Sequence, residues 1–216
     1  MLLKDKLRNQ INAIVSENRK LGFDMSCDME VAELCANLAS IPCHKHLLEI
    51  GTGTGISTLF IAQLMSQEAE LITIDIDATY SQVAQTVLEG QKNVRFIVED
   101  AGTFLKKCER RQFSFIFADA WPGKYSNLNH ALRTLDKGGL YIIDDLLPQS
   151  NWPDRHGPRV DALLEVFRCT DDFSLSYMNW SSGVAIITKT GNADGIENDL
   201  VKDPEFSFLF SEDLPQ

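Results

Sequence analysis

No stretch of this 216-residue chain approaches the ~18 consecutive apolar residues that a membrane span requires. The start, Met1-Leu2-Leu3-Lys4-Asp5-Lys6-Leu7-Arg8, alternates charge with leucine where a secretory leader would run apolar. There is no C-x-x-C pair, and the five cysteines, Cys27, Cys35, Cys43, Cys108 and Cys169, are odd in number. A disulfide framework and a zinc site are therefore disfavoured, and a reducing cytoplasm is the expected setting. The cysteines read instead as small buried hydrophobes. Basic charge is scarce: 20 Lys and Arg stand against 31 Asp and Glu, a net charge of −11. Such a field repels phosphate backbones, which argues against nucleic acid and for a small molecule or a protein as partner. Internal repeats and low-complexity linkers are also missing. What remains, 44% hydrophobic and 24% charged residues, is ordinary for one globular domain. A chain of this length buries about 70% of its unfolded surface.

Leu3, Leu7, Ile11, Ile14 and Val15 fall at helical spacing, and Val31, Leu34, Cys35 and Leu38 do so again before Pro42. Residues 1–44 thus read as an N-terminal helical extension, whose amphipathic faces offer a surface for a homodimer. Beyond it, apolar runs at 47–50, 71–76, 94–98, 113–118 and 140–143 alternate with helical segments near 56–67, 79–89, 101–108, 126–135 and 159–168. That alternation predicts a parallel sheet covered on both faces and, with right-handed crossovers, doubly wound. Runs at 173–178 and 184–188 are separated only by Asn179-Trp180-Ser181-Ser182-Gly183, too few residues for a crossover, so they predict an antiparallel hairpin. The expectation is an α/β domain over 45–190, seven-stranded, with helices on both faces. The acidic tail, 191–216, carries Phe206, Phe208 and Phe210 and is expected to dock loosely or fray. His44 and His46 precede the first strand, away from the ligand edge, and are expected on the surface.

The most informative stretch is Glu49-Ile50-Gly51-Thr52-Gly53-Thr54-Gly55-Ile56-Ser57, which follows a strand and opens a helix. Its glycines permit a tight turn and close backbone approach, and the helix start offers free N–H groups to an anion. The dinucleotide fingerprint G-x-G-x-x-G fails, because its third glycine position is Ile56 counted from Gly51 and Thr58 counted from Gly53. The Walker G-K-[ST] is absent as well. What stands here is E-x-G-x-G-x-G. Asp75 ends the second strand, where a carboxylate can accept two hydrogen bonds from a ribose diol. Asp77 reads as the cap of the following helix. Asp100, after the third strand, reads as an acceptor for an adenine amine or as a helix cap.

Together these residues resemble the class I S-adenosylmethionine-dependent methyltransferases, whose sheet is the Rossmann-like, seven-stranded one expected here. The resemblance implies that Gly51, Thr52, Gly53 and Gly55 wrap the methionine part of the cofactor. Ser57 would hold the methionine carboxylate and Glu49 its ammonium. Asp75, with Ile76 beside it, would take the ribose, and Asp100 and Ala101 would sit near adenine. Asp119 and Trp121 complete the implied set, Trp121 lying against the adenine or lining the acceptor pocket.

On the acceptor side, Asp119 ends the fourth parallel strand, and Asp144 and Asp145 end the fifth. Three like charges together are costly unless a cation or protons neutralise them, and oxygen ligands suit Mg²⁺ or Ca²⁺. This resembles the cation-dependent O-methyltransferases of the catechol and caffeoyl-CoA type, in which an Asp and an Asp-Asn pair hold the metal. Asp119 and Asp144 match that pattern, whereas Asp145 stands where the family has Asn. Where the catechol enzymes place a catalytic lysine stands Pro122, with Lys124 two residues later. Lys124 and His156 are the candidate catalytic groups, and Trp152 and His156 lie on a Pro-rich loop suited to substrate.

The implied reaction is in-line methyl transfer from S-adenosylmethionine to an oxygen of a small, phenolic acceptor. A phenol has a pKa of about 10, so ionising it near neutrality requires about 4 kcal/mol, which a divalent cation can supply. A metal-independent methyltransferase, a non-catalytic S-adenosylmethionine-binding regulator and a nicotinamide oxidoreductase are the alternatives.

Overall fold

The computed structural model describes residues 2–148 and 156–193, together with Lys202, Pro204 and residues 206–211. The two leading amphipathic segments form α1 (Leu2–Leu21) and α2 (Met29–Ala39). The alternation beyond them gives β1 (His46–Ile50), α3 (Ile56–Leu64), β2 (Glu70–Asp75), α4 (Ala78–Val87), β3 (Val94–Val98), α5 (Ala101–Lys107) and β4 (Phe113–Ala118). There follow α6 (Leu128–Thr134), β5 (Leu135–Ile143), α7 (His156–Arg168), β6 (Phe173–Met178) and β7 (Val184–Lys189), and a short 3₁₀ turn at Ser207–Phe210.

The seven strands form one sheet in the order β3-β2-β1-β4-β5-β7-β6. Strands β1 to β5 pair in parallel, and β7 runs antiparallel to both β5 and β6. This is the doubly wound, Rossmann-like α/β sheet with a terminal hairpin that the hydrophobic pattern predicts. From β1 the chain moves outward to β2 and β3, then returns to place β4 on the other side. The crevice above β1 and β4 is the switch point where such sheets bind ligands.

Alternate side chains of the sheet feed two cores. Leu48 and Ile50 pack with Leu105 of α5, Leu132 of α6 and Leu163 of α7. Leu47, Leu71 and Phe115 pack with Ile14 of α1, Cys35 of α2 and Leu59 of α3. Being covered on both faces, β1 is buried at every position but its first, which accounts for its continuous apolar run. Helix α1 lies beside α4, where Gln10 Nε2 donates to the Val87 carbonyl at 2.7 Å.

Three expectations are corrected. His46 is exposed, but His44 is only 2% exposed, its ring edge-on to Phe115 at 5.8 Å, and burial lowers its pKa. The cysteines are not uniformly buried: Cys35 and Cys108 are, Cys43 and Cys169 are exposed in the turns that follow α2 and α7, and Cys27 is half-buried. The described part of the tail neither frays nor docks loosely: Phe206, Leu209 and Phe210 join the core beneath α6 and α7, and the Asn127 N–H donates to the Ser211 carbonyl at 3.0 Å. Among the described residues, no helix is long and apolar enough to cross a membrane.

Candidate active site

The turn between β1 and α3 meets the ends of β2, β3 and β4 at the carboxyl edge of the sheet. Gly51 has φ 102°, and a Cβ there would lie 2.7 Å from the Asp119 carbonyl, so only glycine lets the turn rest against the end of β4. The N–H groups of Gly51 and Thr52 both donate to the Ile74 carbonyl, at 2.9 and 3.1 Å. Gly53 N–H donates to Asp75 Oδ2 at 2.7 Å, and Asp77 N–H donates to Asp75 Oδ1 at 2.8 Å. Each oxygen of Asp75 is thus oriented by one amide and keeps lone-pair capacity for a ligand. Asp77 caps α4 by accepting from Thr79 N–H at 2.7 Å, as its position predicts. Asp100 caps α5 through Thr103 N–H at 2.7 Å and also lines the crevice, so its two readings coexist.

Beneath the turn lies Glu49, fully buried. Its Oε2 accepts from the hydroxyls of Thr58 and Thr73, each at 2.5 Å, while its Oε1 is buried with no partner. Burial pushes the Glu49 carboxyl up to about 7. Ser57 is buried beside it in the first turn of α3.

Two cavities open along the edge. One, of about 550 Å³, is walled by Gly51, Gly53, Asp75, Ile76, Asp100 and Ala101, and by Phe23 and Tyr80, whose rings lie 4.4 Å apart. The other, of about 310 Å³, is walled by residues 24–28 together with Lys124, Tyr125, Asp145, His156 and Ser182. They share Met25, Asp119, Ala120 and Trp121. The Trp121 ring is fixed edge-on to Tyr125 at 5.5 Å and by the Arg159 guanidinium 5.0 Å from its centroid.

A tight turn sets Lys124. Gly123 has φ 85°, and a Cβ there would lie 2.7 Å from the Tyr141 hydroxyl, which donates to the Gly123 carbonyl at 2.6 Å. The turn aims Lys124 inward, leaving it 4% exposed. Its Nζ donates to the Asp144 carbonyl at 3.0 Å and lies 3.8 Å from Asp119 Oδ1. Asp144 Oδ1 accepts from the Ser182 hydroxyl and from Asp145 N–H, the latter at 2.7 Å; its Oδ2 faces the Cys27 thiol at 3.7 Å. Burial, with the Asp144 charge adding, raises Asp119 well above the usual carboxylate range. Burial, then the Asp145 charge, brings Asp144 up to about 6.

Among the described residues, the ligand-capable atoms that converge within 4.8 Å belong to Cys27, Asp119 and Asp144. Asp145 lines the second cavity with a left-handed backbone, φ 59°, outside that group. This donor set does not fit Mg²⁺ or Ca²⁺. Those ions require hard oxygen ligands, whereas the third atom here is a soft thiol whose pKa burial pushes up. Both Asp144 oxygens already face donors, and the Lys124 ammonium stands beside the Asp119 carboxylate and the Asp144 backbone carbonyl.

His156 opens α7, and its Nε2 lies 2.9 Å from the Tyr125 hydroxyl. Burial, then the nearby Lys124 charge, lowers its pKa to about 4. Trp152 lies outside the described residues. The structure therefore gathers the glycine turn, Asp75, Ile76, Asp100, Ala101, Asp119 and Trp121 around one cavity, and Lys124, Asp145 and His156 around the next. Sequence reasoning missed Phe23, Met25, Cys27, Tyr80 and Ser182. For Ser182 a signal existed: β7 starts opposite the end of β5, with Ala185 paired to Ile143, so the hairpin turn must lie beside Asp144.

A family model described as O-methyltransferase matches residues 5–168. A protein named as a candidate O-methyltransferase from Mycolicibacterium vanbaalenii is 25% identical over 140 residues, 61% of this chain and 62% of its own. A protein of the same name from Mycobacterium ulcerans is 29% identical over 118 residues, 52% of this chain and 53% of its own. The chain thus matches little more than half the length of these curated relatives. Among solved structures, the O-methyltransferase TomG of Streptomyces achromogenes, involved in tomaymycin synthesis and in complex with S-adenosylmethionine, superposes with a TM-score of 0.73 at 20% identity, covering 86% of this chain and 90% of that one. An O-methyltransferase from Bacillus cereus in complex with S-adenosylhomocysteine gives 0.72 at 18% identity, over 84% and 90%. These structural likenesses bear on the fold.

Proposed function

Because this chain belongs to the O-methyltransferase family, we propose that it binds S-adenosylmethionine in the larger cavity and transfers its methyl group to a hydroxyl oxygen of a small acceptor, a phenol, held in the smaller one. One observation carries the reading: Gly53 N–H and Asp75 Oδ2 join the glycine turn to the acid of β2 at the wall of a 550 Å³ cavity. That volume suits an adenosyl amino acid. Asp75 takes the ribose diol, Asp100 and Ala101 border the adenine, and Phe23 and Tyr80 give it an aromatic wall. The unpartnered Glu49 Oε1 answers the methionine ammonium, and Ser57, at the start of α3, answers its carboxylate.

Asp119 and Trp121, common to both cavities, mark where sulfonium and acceptor oxygen would meet. The oxygen, its proton given up to water, attacks the methyl carbon in line with the breaking S–C bond. The O–C bond forms as the S–C electron pair returns to sulfur, which cancels the sulfonium charge. Alignment of the two centres is the chief contribution of the protein, since the donor is already activated. His156, with its Nε2 against Tyr125 and its pKa near 4, is a weak base and serves better to hold Tyr125 and Trp121 in place.

The acceptor cavity carries Asp24, Asp28, Asp119 and Asp145 against one lysine, in a chain of net charge −11. That field favours a neutral or cationic acceptor over a polyanionic one such as a coenzyme A thioester. Residence in a reducing cytoplasm accords with the exposed thiols of Cys43 and Cys169.

Calorimetry with S-adenosylhomocysteine tests the cofactor site. Wild-type protein is expected to bind it, and Asp75→Ala to weaken binding at least about tenfold, the loss of one charged hydrogen-bond partner. An Asp75→Ala protein that binds as tightly as wild type refutes the assignment. Mass spectrometry of a phenol panel incubated with S-adenosylmethionine tests the transfer; binding without product would leave a cofactor-binding regulator.

A further inference from the structure

We propose that the ammonium of Lys124 is the resident cation of the acceptor site, standing in place of a divalent metal and facing the acceptor oxygen. The inference rests on the methyltransferase reading above and concerns how that site meets its need for positive charge.

Asp119 ends β4 and Asp144 ends β5, adjacent parallel strands that bring their carboxylates together. Two such acids are costly to bury side by side unless something positive joins them. In this chain the positive group comes from within. Lys124 is buried, 3.0 Å from the Asp144 carbonyl and 3.8 Å from Asp119 Oδ1, and it lines the smaller cavity. Its placement is built in by the turn, since Gly123 has a conformation and a contact that a side chain could not tolerate. The Asp144 carboxylate itself faces the Ser182 hydroxyl, the Cys27 thiol and the Asp145 N–H, while Lys124 meets Asp144 at its backbone carbonyl. An ammonium cannot accept hydrogen bonds, so any Lys124 proton not spent on Asp144 and Asp119 is a donor to the cavity.

The chemistry follows directly. A phenol entering the cavity loses its proton to water, its oxygen anion is held by the Lys124 ammonium, and attack on the methyl carbon gives the neutral ether and the neutral thioether. No co-reactant beyond S-adenosylmethionine is required. The site then needs no added metal, and a divalent ion competes with Lys124 for the Asp119 carboxylate.

The test is uptake of Mn²⁺, read from loss of the free-ion electron paramagnetic resonance signal. Wild-type protein is expected to leave the signal unchanged. Lys124→Met, which keeps an apolar stem of similar length, leaves Asp119 and Asp144 with no positive charge beside them. The unopposed carboxylates are then expected to turn from the Ser182 and Cys27 donors onto an ion through oxygen alone and to take up Mn²⁺, and Asp119→Asn added to it abolishes the uptake. Lys124→Gln is the second variant should Lys124→Met fail to fold. Wild-type uptake that Asp119→Asn removes overturns the proposal, as does a folded Lys124 variant that still ignores Mn²⁺. If neither variant folds, the wild-type arm decides: uptake overturns and indifference supports. S-Adenosylhomocysteine binding is measured on the same wild-type samples. Bound nucleoside together with Mn²⁺ uptake sinks only the role of Lys124; absence of nucleoside binding sinks the reading beneath it.

Discussion

A single buried oxygen concentrates much of the cofactor argument. Glu49 is legible in the sequence as the acid preceding the glycines, but its hydroxyl partners are not. Thr58 lies nine residues downstream, in the first turn of α3, and Thr73 arrives from the adjacent strand. Together they satisfy one oxygen and leave the other bare, and burial pushes the pair's shared carboxyl up to about 7. A folded pKa raised above the unfolded one means that the ligand-free protein gains from this group below about pH 4.5. That gain is lost as pH rises through 7, a change on the order of 3 kcal/mol. A ligand ammonium at Oε1 reverses the preference by favouring the carboxylate. Binding of S-adenosylmethionine is therefore expected to strengthen from pH 6 to 8 and to release protons, which calorimetry in buffers of different ionisation enthalpy detects. Glu49→Gln should flatten that profile, weaken binding about tenfold or more, and raise the ligand-free melting temperature at pH 8. Proton-neutral binding with a flat profile would detach Glu49 from the ammonium.

Elements were more legible than the contacts between them. The period-3.6 stripes and continuous apolar runs marked the helices and strands, because central parallel strands must be apolar on both faces. The loop of Asn179-Trp180-Ser181-Ser182-Gly183 marked the hairpin by its length alone. Segments without period were opaque: residues 22–28 bring Phe23, Met25 and Cys27 over the carboxyl edge, and nothing in their spacing announces it. Nor did the sequence separate the roles of the glycines. Gly51 and Gly90 both hold positive φ, at 102° and 90°, but a Cβ at Gly51 would lie 2.7 Å from the Asp119 carbonyl, whereas at Gly90 it would meet nothing. Gly90→Ala should cost only the backbone strain, about 1 kcal/mol. Gly51→Ala should cost that and a displacement of the β1 turn from β4, about 2–4 kcal/mol in all, with loss of S-adenosylhomocysteine binding. Thermal melts with and without the nucleoside compare them, and equal behaviour would mean that the β1–β4 contact does not shape the site.

At the scale of the whole molecule, hydrophobic pattern and charge composition foretold different things. The acidic tail was expected to dock loosely or fray, yet Phe206 and Phe210 are buried in the core shared with α6 and α7. Net charge spoke instead to partners. A chain at −11 that places Asp24 and Asp28 at the mouth of its acceptor cavity attracts the cationic sulfonium donor and repels polyanions. Repulsion between solvent-exposed charges is screened by salt, the Debye length falling from about 30 Å at 0.01 M to about 3 Å at 1 M. Neutral catechol should therefore show a KM nearly independent of ionic strength. A coenzyme A thioester acceptor should show a high KM at low salt that falls as salt is added, narrowing its deficit in kcat/KM. Steady-state kinetics with both acceptors across that range makes the comparison. A thioester preferred at low salt, with a KM that rises on adding salt, would place the controlling charge at Lys124 rather than in the acidic field around it.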